Sequence, residues 1–479
     1  MSQSPLIVWF RNDLRRADNP ALRAAANAGR PVVCLFVLDD ETPGDWALGG
    51  AARWWLHASL GAFSSDLEKA GGRLILRRGR ARDVVPAFAR EMKAAGVYWN
   101  RRYDVAGKAE DGEIKETLKK QDLDARSFNG ALLYEPWEIV TGSGGPYRVF
   151  TPFWKALRRA EGPKPPLPAV TKLQAPKGAI KSDVLDDWAL PPTAPDWSGG
   201  LHATWTPGET GARKRLKAFL AGPIRTYGED RNRPDRAGTS MLSPHLRFGE
   251  ISPRTIWAET VGAMEAGDAP DGEAEKFLSE VAWREFSYSL LHYNEDFPEE
   301  PLQKKFAAFP WRQDEAHLNA WRRGRTGYPI VDAGMRQLWE TGWMHNRVRM
   351  IVGSFLVKHL LLHWREGEDW FWDTLVDADL ANNAAGWQWI GGCGADAAPY
   401  FRIFNPMTQG DKFDPDGAYV RRYVPELRDM PAKHIHQPWD APAPVLEAAG
   451  VIIGKTYPAP IVDHAEARKR ALAAYEQIK

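Results

Sequence analysis

The chain has 479 residues, of which 44% are hydrophobic, and a formal net charge of +1. This length allows two or three domains with buried cores, whereas the near-zero charge excludes a protein drawn to nucleic acid by its overall field, so any anion-binding surface must be a local patch. Only two cysteines are present, Cys34 and Cys393. A cysteine-rich metal site is therefore excluded, a disulfide framework is not expected, and the composition fits the cytoplasm.

No targeting or membrane segment is expected from the sequence. The apolar run at 5–10 is followed, not preceded, by arginines, which is the reverse of a signal peptide. The apolar run at 350–362 is interrupted by Lys358 and His359 and is too short to cross a bilayer. We therefore expect a soluble cytoplasmic protein.

The first 130 residues alternate strand and helix patterns. Short apolar runs rich in β-branched and aromatic residues predict strands at 5–10, 32–38, 73–77 and 96–100. Helical patterns follow them at 18–28, 51–70, 83–94 and 106–120. Such alternation predicts an α/β domain with a doubly wound parallel sheet. The first strand is not followed by GxGxxG, so no dinucleotide site is predicted there.

The rest of the chain is predicted to be a linker and a helical domain. Residues 131–204 contain the proline-rich stretches 162–168 and 190–195, which cannot form long helices. From 205 to 479 the pattern is helical and predicts one all-α domain. The clearest apolar stripe has the spacing i, i+3, i+4, i+7 and i+8, at Val348, Ile351, Val352, Phe355 and Leu356.

A basic segment lies at 211–254, where ten Lys and Arg face four Asp and Glu, a local balance of +6. Such a patch suits phosphates. Within it, the sequence GTSMLSP at 238–244 places a glycine and hydroxyls before a helical stretch, as in pyrophosphate sites. Taken alone, this motif is explained more simply as a helix N-cap beside a solvated basic face than as a pyrophosphate site.

Two further groups of residues have the chemistry to recognise a heterocycle. Glu280, Trp283 and Arg284 lie one helical turn apart, so an acid and a ring share a face. A surface ion pair above a core tryptophan is the commoner explanation. Asp377, Asp379, Asn382 and Asn383 gather carboxylates and amides among tryptophans. A metal site or a helix cap is the alternative there, but the nearby histidines, 14 residues apart, lack a local metal-ligand spacing.

Six motifs resemble the photolyase/cryptochrome family, in that family's order and over most of the chain. They are WFRNDLR (9–15), GTSMLSP (238–244), AWREF (282–286), TGYPIVDAGMRQL (326–338), WMHNRVRM (343–350) and DADLANNAAGWQWIGGCGADAAPYFRIFNP (377–406). The resemblance implies an α/β antenna domain at 1–130, an interdomain linker at 131–204 and a helical FAD-binding catalytic domain at 205–479.

The resemblance also implies which residues bind a folded FAD. They are Tyr227, Thr239, Ser240, Met241, Leu242, Ser243, Arg284, Asn346, Arg349, Asp377, Ala378, Asp379 and Asn383. Arg349 and Asp377 would form an ion pair beside the flavin ring, and Asn383 would face flavin N5. An amide at that position is typical of repair enzymes, whereas plant-type photosensory cryptochromes tend to carry an acid.

The implied activity is light-dependent repair of cyclobutane pyrimidine dimers in DNA, by an electron that passes from excited FADH⁻ to the dimer and returns. The residues implied to contact damaged DNA are Arg231, Glu280, Trp283, Asn346, Arg347, Met350, Trp389, Arg402 and Gln409. Trp283 and Trp389 would enclose the flipped-out dimer. The stretch HNRVRM lacks the histidine pair that is usual in enzymes for (6-4) lesions.

Besides Glu280 and Asn383, the implied catalytic residues are Trp387, Trp364 and Trp311, which match the family's photoreduction chain. Other tryptophans could form a branch, among them Trp339, Trp343 and Trp370.

The antenna chromophore is less clearly implied. Folate-binding relatives often have an Asn-Glu pair where this chain has Ala106-Gly107. We predict 5,10-methenyltetrahydrofolate, with 8-hydroxy-5-deazaflavin as the alternative. Trp46, Trp54 or Trp55 could stack on either, although core packing is the simpler role for the last two.

We expect a monomer without an obligate protein partner, a membrane or a metal. The other functions considered are a blue-light photoreceptor of the cryptochrome type, a tryptophan-rich carbohydrate enzyme with paired carboxylates, and a DNA-binding module without catalysis.

Overall fold

The structure is a computed structural model that describes residues 3–397 and 401–479. By their internal contacts the residues divide into two compact units, each described by itself below. Unit 1 comprises Met1–Arg225, Ser240–Glu295 and Val376–Ala381, and unit 2 comprises Thr226–Thr239, Asp296–Leu375 and Asn382–Lys479. The domain limits given above stay predictions.

Unit 1 contains a five-stranded parallel sheet. Its strands are β1 (Leu6–Phe10), β2 (Val32–Leu38), β3 (Leu74–Arg78), β4 (Gly96–Asn100) and β5 (Asp124–Phe128). The strand order β3-β2-β1-β4-β5 reverses direction at β1, which confirms the predicted doubly wound α/β fold. β5 was not predicted, because this edge strand, DARSF, is polar and only half-buried.

The central strands are apolar along their whole length because helices cover both faces of a parallel sheet. All residues of β1, β2 and β4 are buried. The helices of this part of the chain are α1 (Pro20–Asn27), α2 (Gly50–Lys69), α3 (Ala81–Glu91) and α4 (Val105–Lys120). Asn19 and Asp104 cap α1 and α4 by accepting backbone N–H bonds, which explains where these two helices begin.

The predicted linker contains two helices, α5 (Phe150–Arg159) and α6 (Gly199–Thr204). Beyond it the chain is helical, as predicted. The helices are α7 (Glu209–Ala221), α8 (Tyr227–Asp230), α9 (Ser243–Arg247), α10 (Pro253–Glu265), α11 (Asp271–Tyr293), α12 (Glu315–Arg322), α13 (Pro329–Thr341), α14 (Asn346–Ser354), α15 (Trp364–Thr374), α16 (Leu380–Gly391), α17 (Pro406–Phe413), α18 (Ala418–Tyr423), α19 (Ala432–Ile435), α20 (Ala443–Ala448) and α21 (His464–Glu476).

The apolar stripe predicted near residue 350 is confirmed. All five of its residues are buried in unit 2, the first three on α14 and the last two in the π-helical turn Phe355–His359 that follows. Lys358 and His359 are also buried, although their polarity interrupts the apolar run.

Candidate functional site

The turn predicted to bind phosphate leads into α9 and has an unusual backbone. Met241 adopts φ +50°, a left-handed conformation that is rare for a side chain with a Cβ and is found most often at binding sites. In unit 1, the Arg215 guanidinium lies 3.8 Å from the Met241 sulfur. Leu242 is buried, and Ser243 is the exposed first residue of α9. A turn held in this way presents hydroxyls and a cation side by side.

A buried trio anchors α9 within unit 1. His245 Nδ1 and Glu250 Oε2 form a hydrogen bond, and both side chains are fully buried. The indole Nε1 of Trp55 donates to the other Glu250 oxygen at 3.0 Å. No local sequence pattern predicts this trio, because Trp55 and Glu250 are almost 200 residues apart in the chain. It fixes the position of the Ser240–Ser243 turn.

The acidic residues ahead of α16 are buried and held by unit 1. Asp377 and Asp379 are each 8% exposed, and Ala378 is 2% exposed. The Tyr288 hydroxyl donates to Asp379 Oδ2 at 2.5 Å. The Arg247 Nε donates to the carbonyl of Ala378. These contacts fix the end of the 376–379 segment.

Arg284 lies in the same network of unit 1. Its Nη1 donates to the Ala131 carbonyl at 2.7 Å, and its guanidinium lies 4.6 Å from the centre of the Tyr288 ring. Burial alone would lower the pKa of this guanidinium, but Tyr288 and Asp379 outweigh burial and raise it. Arg284 is therefore a permanent cation that is already hydrogen-bonded to the chain.

In unit 2, Asn383 and Trp387 lie one turn apart on α16. The Asn383 Nδ2 donates to the Glu368 carbonyl at 3.0 Å, which orients the amide. The Trp387 ring packs against Gly367 of α15, where a Cβ would come within 2.0 Å of the indole Cη2. Trp387 is 3% exposed, and its Nε1 has no hydrogen-bond partner among the described residues.

The other two predicted electron-chain tryptophans are joined by a histidine that the sequence did not single out. Trp364 is 1% exposed and begins α15, three residues before Gly367. The His363 ring stacks on Trp364 with centroids 5.5 Å apart, and it meets Trp311 edge-on at 5.1 Å. Burial, then Arg365, lowers the pKa of His363 to about 4, so this connecting ring is neutral at pH 7.

Two predicted lesion contacts lie on α11 in unit 1. The Glu280 carboxylate is 24% exposed and lies 3.5 Å from the Lys276 ammonium. The Trp283 ring is stacked on Phe150, with centroids 3.8 Å apart and planes 10° apart. Phe150 begins α5 in the predicted linker, and this pairing was not predicted. One face of Trp283 is therefore covered by the protein itself.

Three arginines predicted to contact DNA form an electropositive group in unit 2. The Arg347 Nη2 donates to Asn232 Oδ1 at 2.6 Å, and Arg231 lies over the buried Tyr227 ring at 5.6 Å. Burial, and then the charges of Arg231 and Arg402, lower the pKa of Arg347. Positive charges close enough to lower one another's pKa also attract an anion.

The same group of charges acts on His345, which caps α14. Burial, then Arg347 and Arg349, lowers the pKa of His345 to about 3, so this ring is neutral at pH 7. The adjacent Asn346 is exposed at the start of the helix, and Met350 Sδ lies 3.7 Å from Arg347 Nη1.

The remaining predicted site residues of unit 2 are held by backbone atoms. The Arg349 Nε donates to the Met344 carbonyl at 2.8 Å, and the Trp389 Nε1 donates to the Asp396 carbonyl at 3.0 Å. Gln409 is half-buried on α17. Thr239 is half-buried in this unit. Residues 398–400 of the longest motif lie outside the described residues.

The structure also bears on the antenna residues of unit 1. Trp54 and Trp55 are buried, and their indole N–H groups donate to His202 and Glu250, so both are core residues. Trp46 is half-buried. At Gly107, a Cβ would lie 2.6 Å from the Asp104 carboxylate that caps α4. A larger residue does not fit at position 107 in this arrangement.

Among the described residues, no helix combines the length and apolar character needed to cross a membrane. Within 3–397 and 401–479, no three His, Cys, Asp or Glu side chains gather as a metal ion would require.

Family models match most of the chain. The model for DNA photolyase matches residues 6–172, and the model for the FAD binding domain of DNA photolyase matches residues 277–477. The C-terminal part of the chain is thus an FAD-binding domain of the photolyase type.

Individual relatives agree along the whole length. Deoxyribodipyrimidine photo-lyase of Agrobacterium fabrum is 53% identical over 479 residues, which covers 100% of this chain and 99% of the relative. Cryptochrome-1 of Arabidopsis thaliana is 42% identical, over 98% of this chain and 70% of the cryptochrome. The crystal structure of a bacterial class III photolyase from Agrobacterium tumefaciens superposes with a TM-score of 0.96 at 53% identity, over 100% of this chain and 98% of that one. The fold, the two matched domains and this identity establish that the chain belongs to the photolyase/cryptochrome family.

Proposed function

We propose that the protein repairs cyclobutane pyrimidine dimers in DNA under light, with FAD as the reacting cofactor. The observation that carries repair, as opposed to signalling, is the orientation of Asn383. Because its amide nitrogen already donates to the Glu368 carbonyl, its oxygen is the atom left to accept a hydrogen bond from flavin N5. An amide oxygen accepts such a hydrogen bond without taking the proton, so the N5 proton stays on the reduced flavin.

The residues present fit FAD. The Ser240–Ser243 turn supplies hydroxyls beside the Arg215 cation, which suits the cofactor's phosphates. The 377–379 segment supplies buried carboxylates, which suit the polar edge of a flavin. When bound and reduced, the cofactor supplies on excitation the electron that splits the cyclobutane ring, and it recovers that electron afterwards.

Damaged DNA is bound in this proposal by charge and by stacking. Arg231, Arg347 and Arg402 contact phosphates near the lesion. Trp283 and Trp389 stack on the flipped-out dimer. The Phe150 ring, stacked on the other face of Trp283, fixes the orientation of the Trp283 ring for that contact. Asn346, Met350, Glu280 and Gln409 border the bases.

The protein's side chains orient the reaction and exclude water rather than acting as nucleophiles. Trp387, Trp364 and Trp311 return the flavin to its reduced form by passing electrons inward from the surface. Trp387 and Trp364 are buried, whereas Trp311 is partly exposed and can be reduced from solution. The His363 ring between the last two is neutral, so it places no positive charge next to an oxidised indole.

The antenna remains 5,10-methenyltetrahydrofolate in this proposal, with 8-hydroxy-5-deazaflavin as the alternative. Because Trp54 and Trp55 belong to the core, Trp46 is the tryptophan that we assign to stacking on the antenna. An absorption spectrum of the denatured protein's supernatant distinguishes the two chromophores. A cytoplasmic monomer stays our expectation.

The direct test is an oligonucleotide that carries one thymine dimer. Reduced protein should restore the two thymines in blue light and leave them dimerised in the dark, and it should not repair a (6-4) photoproduct in the same sequence. The 42% identity to an Arabidopsis cryptochrome makes photoreception the second candidate function. A flavin-loaded protein that reduces in light but restores no thymine would favour it.

A further inference from the structure

A tyrosine on α11 makes a short contact to one of the carboxylates ahead of α16. The Tyr288 hydroxyl donates to Asp379 Oδ2 at 2.5 Å, within the range of strong O–H to carboxylate bonds. Burial, then the Asp379 charge, raises the pKa of this phenol, so it stays protonated and remains a donor. The pair lies wholly within unit 1.

Arg284 completes this arrangement from the preceding turn of the same helix. Its guanidinium lies over the Tyr288 ring at 4.6 Å and is anchored to the Ala131 carbonyl. The Tyr103 ring meets the Tyr288 ring edge-on at 6.0 Å, so the phenol is held on two sides. A rigid donor beside a fixed cation holds a buried carboxylate in one orientation.

We propose that Tyr288 is a positioning residue for FAD, whose hydroxyl keeps Asp379 correctly oriented to accept a hydrogen bond from the cofactor. This role rests on the proposed function, because it requires that Asp379 contact FAD. Arg284 then supports the Tyr288–Asp379 pair from within the protein. Besides Asp379, the charged groups that act on Tyr288 are Arg284 and Arg247, and Glu285 and Tyr103 act in turn on Arg284.

Removing the hydroxyl oxygen of Tyr288 should weaken the binding of FAD. In Tyr288→Phe, the buried Asp379 loses the donor that fixes its orientation. A hydrogen bond to a charged group is worth enough to change binding about tenfold or more. FAD should therefore bind at least about tenfold more weakly in the variant.

The chain offers a matched control. The Tyr98 hydroxyl donates to Asp124 Oδ2 at 2.7 Å in the sheet, and burial, then this contact, raises its pKa to about 12. Tyr98→Phe removes the same kind of bond from a place unconnected with the 377–379 segment. The experiment measures the dissociation constant of FAD for wild type and both variants, together with thermal unfolding of each FAD-free protein.

A loss of FAD affinity in Tyr288→Phe alone, with FAD-free stability similar to that of Tyr98→Phe, supports the proposal. Equal FAD affinity in the two variants overturns it, as does a loss that merely follows stability. Asp379→Asn tests separately the assumption that Asp379 contacts FAD. If wild type binds FAD and Asp379→Asn binds it equally well, the role of Tyr288 is refuted while the proposed function stands. A wild-type protein that binds no FAD would refute both.

Discussion

Replacement of Gly367 by alanine should destabilise the protein although alanine is the better helix former. Gly367 lies inside α15, and a Cβ there would come within 2.0, 2.4 and 2.5 Å of three carbons of the Trp387 ring. Ordinary carbon contacts are near 3.5–4.0 Å, so the indole must move by more than about 1 Å. Overpacking of this kind costs about 1–3 kcal/mol, which exceeds the helix-propensity gain of about 1 kcal/mol.

Gly386→Ala is the matched control, because Gly386 precedes Trp387 on α16 and a Cβ there would have no neighbour within 4 Å. It should be neutral or stabilise the protein by up to about 1 kcal/mol. Urea unfolding gives both free energies, and blue-light reduction of the bound flavin reports whether Trp387 has moved. If Gly367→Ala unfolds at the same urea concentration as Gly386→Ala and photoreduces normally, the packing described for Trp387 is wrong.

Four further changes test separate parts of the account. Trp387→Phe should slow photoreduction of the flavin about tenfold or more, because raising the activation barrier of electron transfer by about 1.4 kcal/mol is enough for a tenfold change. Repair by protein that is already reduced should be unaffected. Transient absorption measures both rates. Arg231→Ala should lower the salt slope of binding to dimer-containing DNA by about one unit, and an unchanged slope would place Arg231 away from phosphate. Glu280→Ala should lower repair per absorbed photon at saturating DNA because it removes a polar group that borders the electron-bearing lesion. Glu280→Gln keeps the size and adds an amide donor, so it should retain most of the yield; equal yields in both variants would leave Glu280 outside the chemical step. Burial, opposed mainly by Arg284, raises the pKa of Glu285 from 4.5 to about 7. The free energy of unfolding should therefore fall by about 3 kcal/mol as the pH rises from 4.5 to 7. Glu285→Gln should abolish that pH dependence in unfolding experiments.

The sequence predicted those elements whose hydrophobic pattern is strong on its own. β1, β2 and β4 are continuous apolar runs because both of their faces are covered, and the α14 stripe has a clear helical period. β5 was missed because an edge strand with one partner needs few apolar residues. The helix α5 was not located because it contains Pro152 and is followed by the proline-rich stretches 162–168 and 190–195.

The candidate site was predicted only as far as local motifs reach. Residue types such as Asn383 and Trp387 stand in recognisable order along the chain. Their supporting contacts join distant segments, so no local pattern shows them. Phe150 stacks on a residue 133 positions away, and His363 looks like an ordinary helix-capping histidine until Trp311 is seen beside it. Arg284 was predicted to bind FAD, and its contacts with Ala131 and Tyr288 appear only in the folded chain.

The central claim is that an electron leaves the reduced cofactor, splits the dimer and returns. One short flash on the reduced protein, saturated with DNA that carries a single thymine dimer, tests it most directly. The flavin spectrum and the number of thymines restored are recorded after the flash. The account predicts that dimers are split in proportion to the photons absorbed and that the flavin is again fully reduced. Flavin oxidised in proportion to repair, or unchanged DNA beside excited flavin that simply decays, would contradict it.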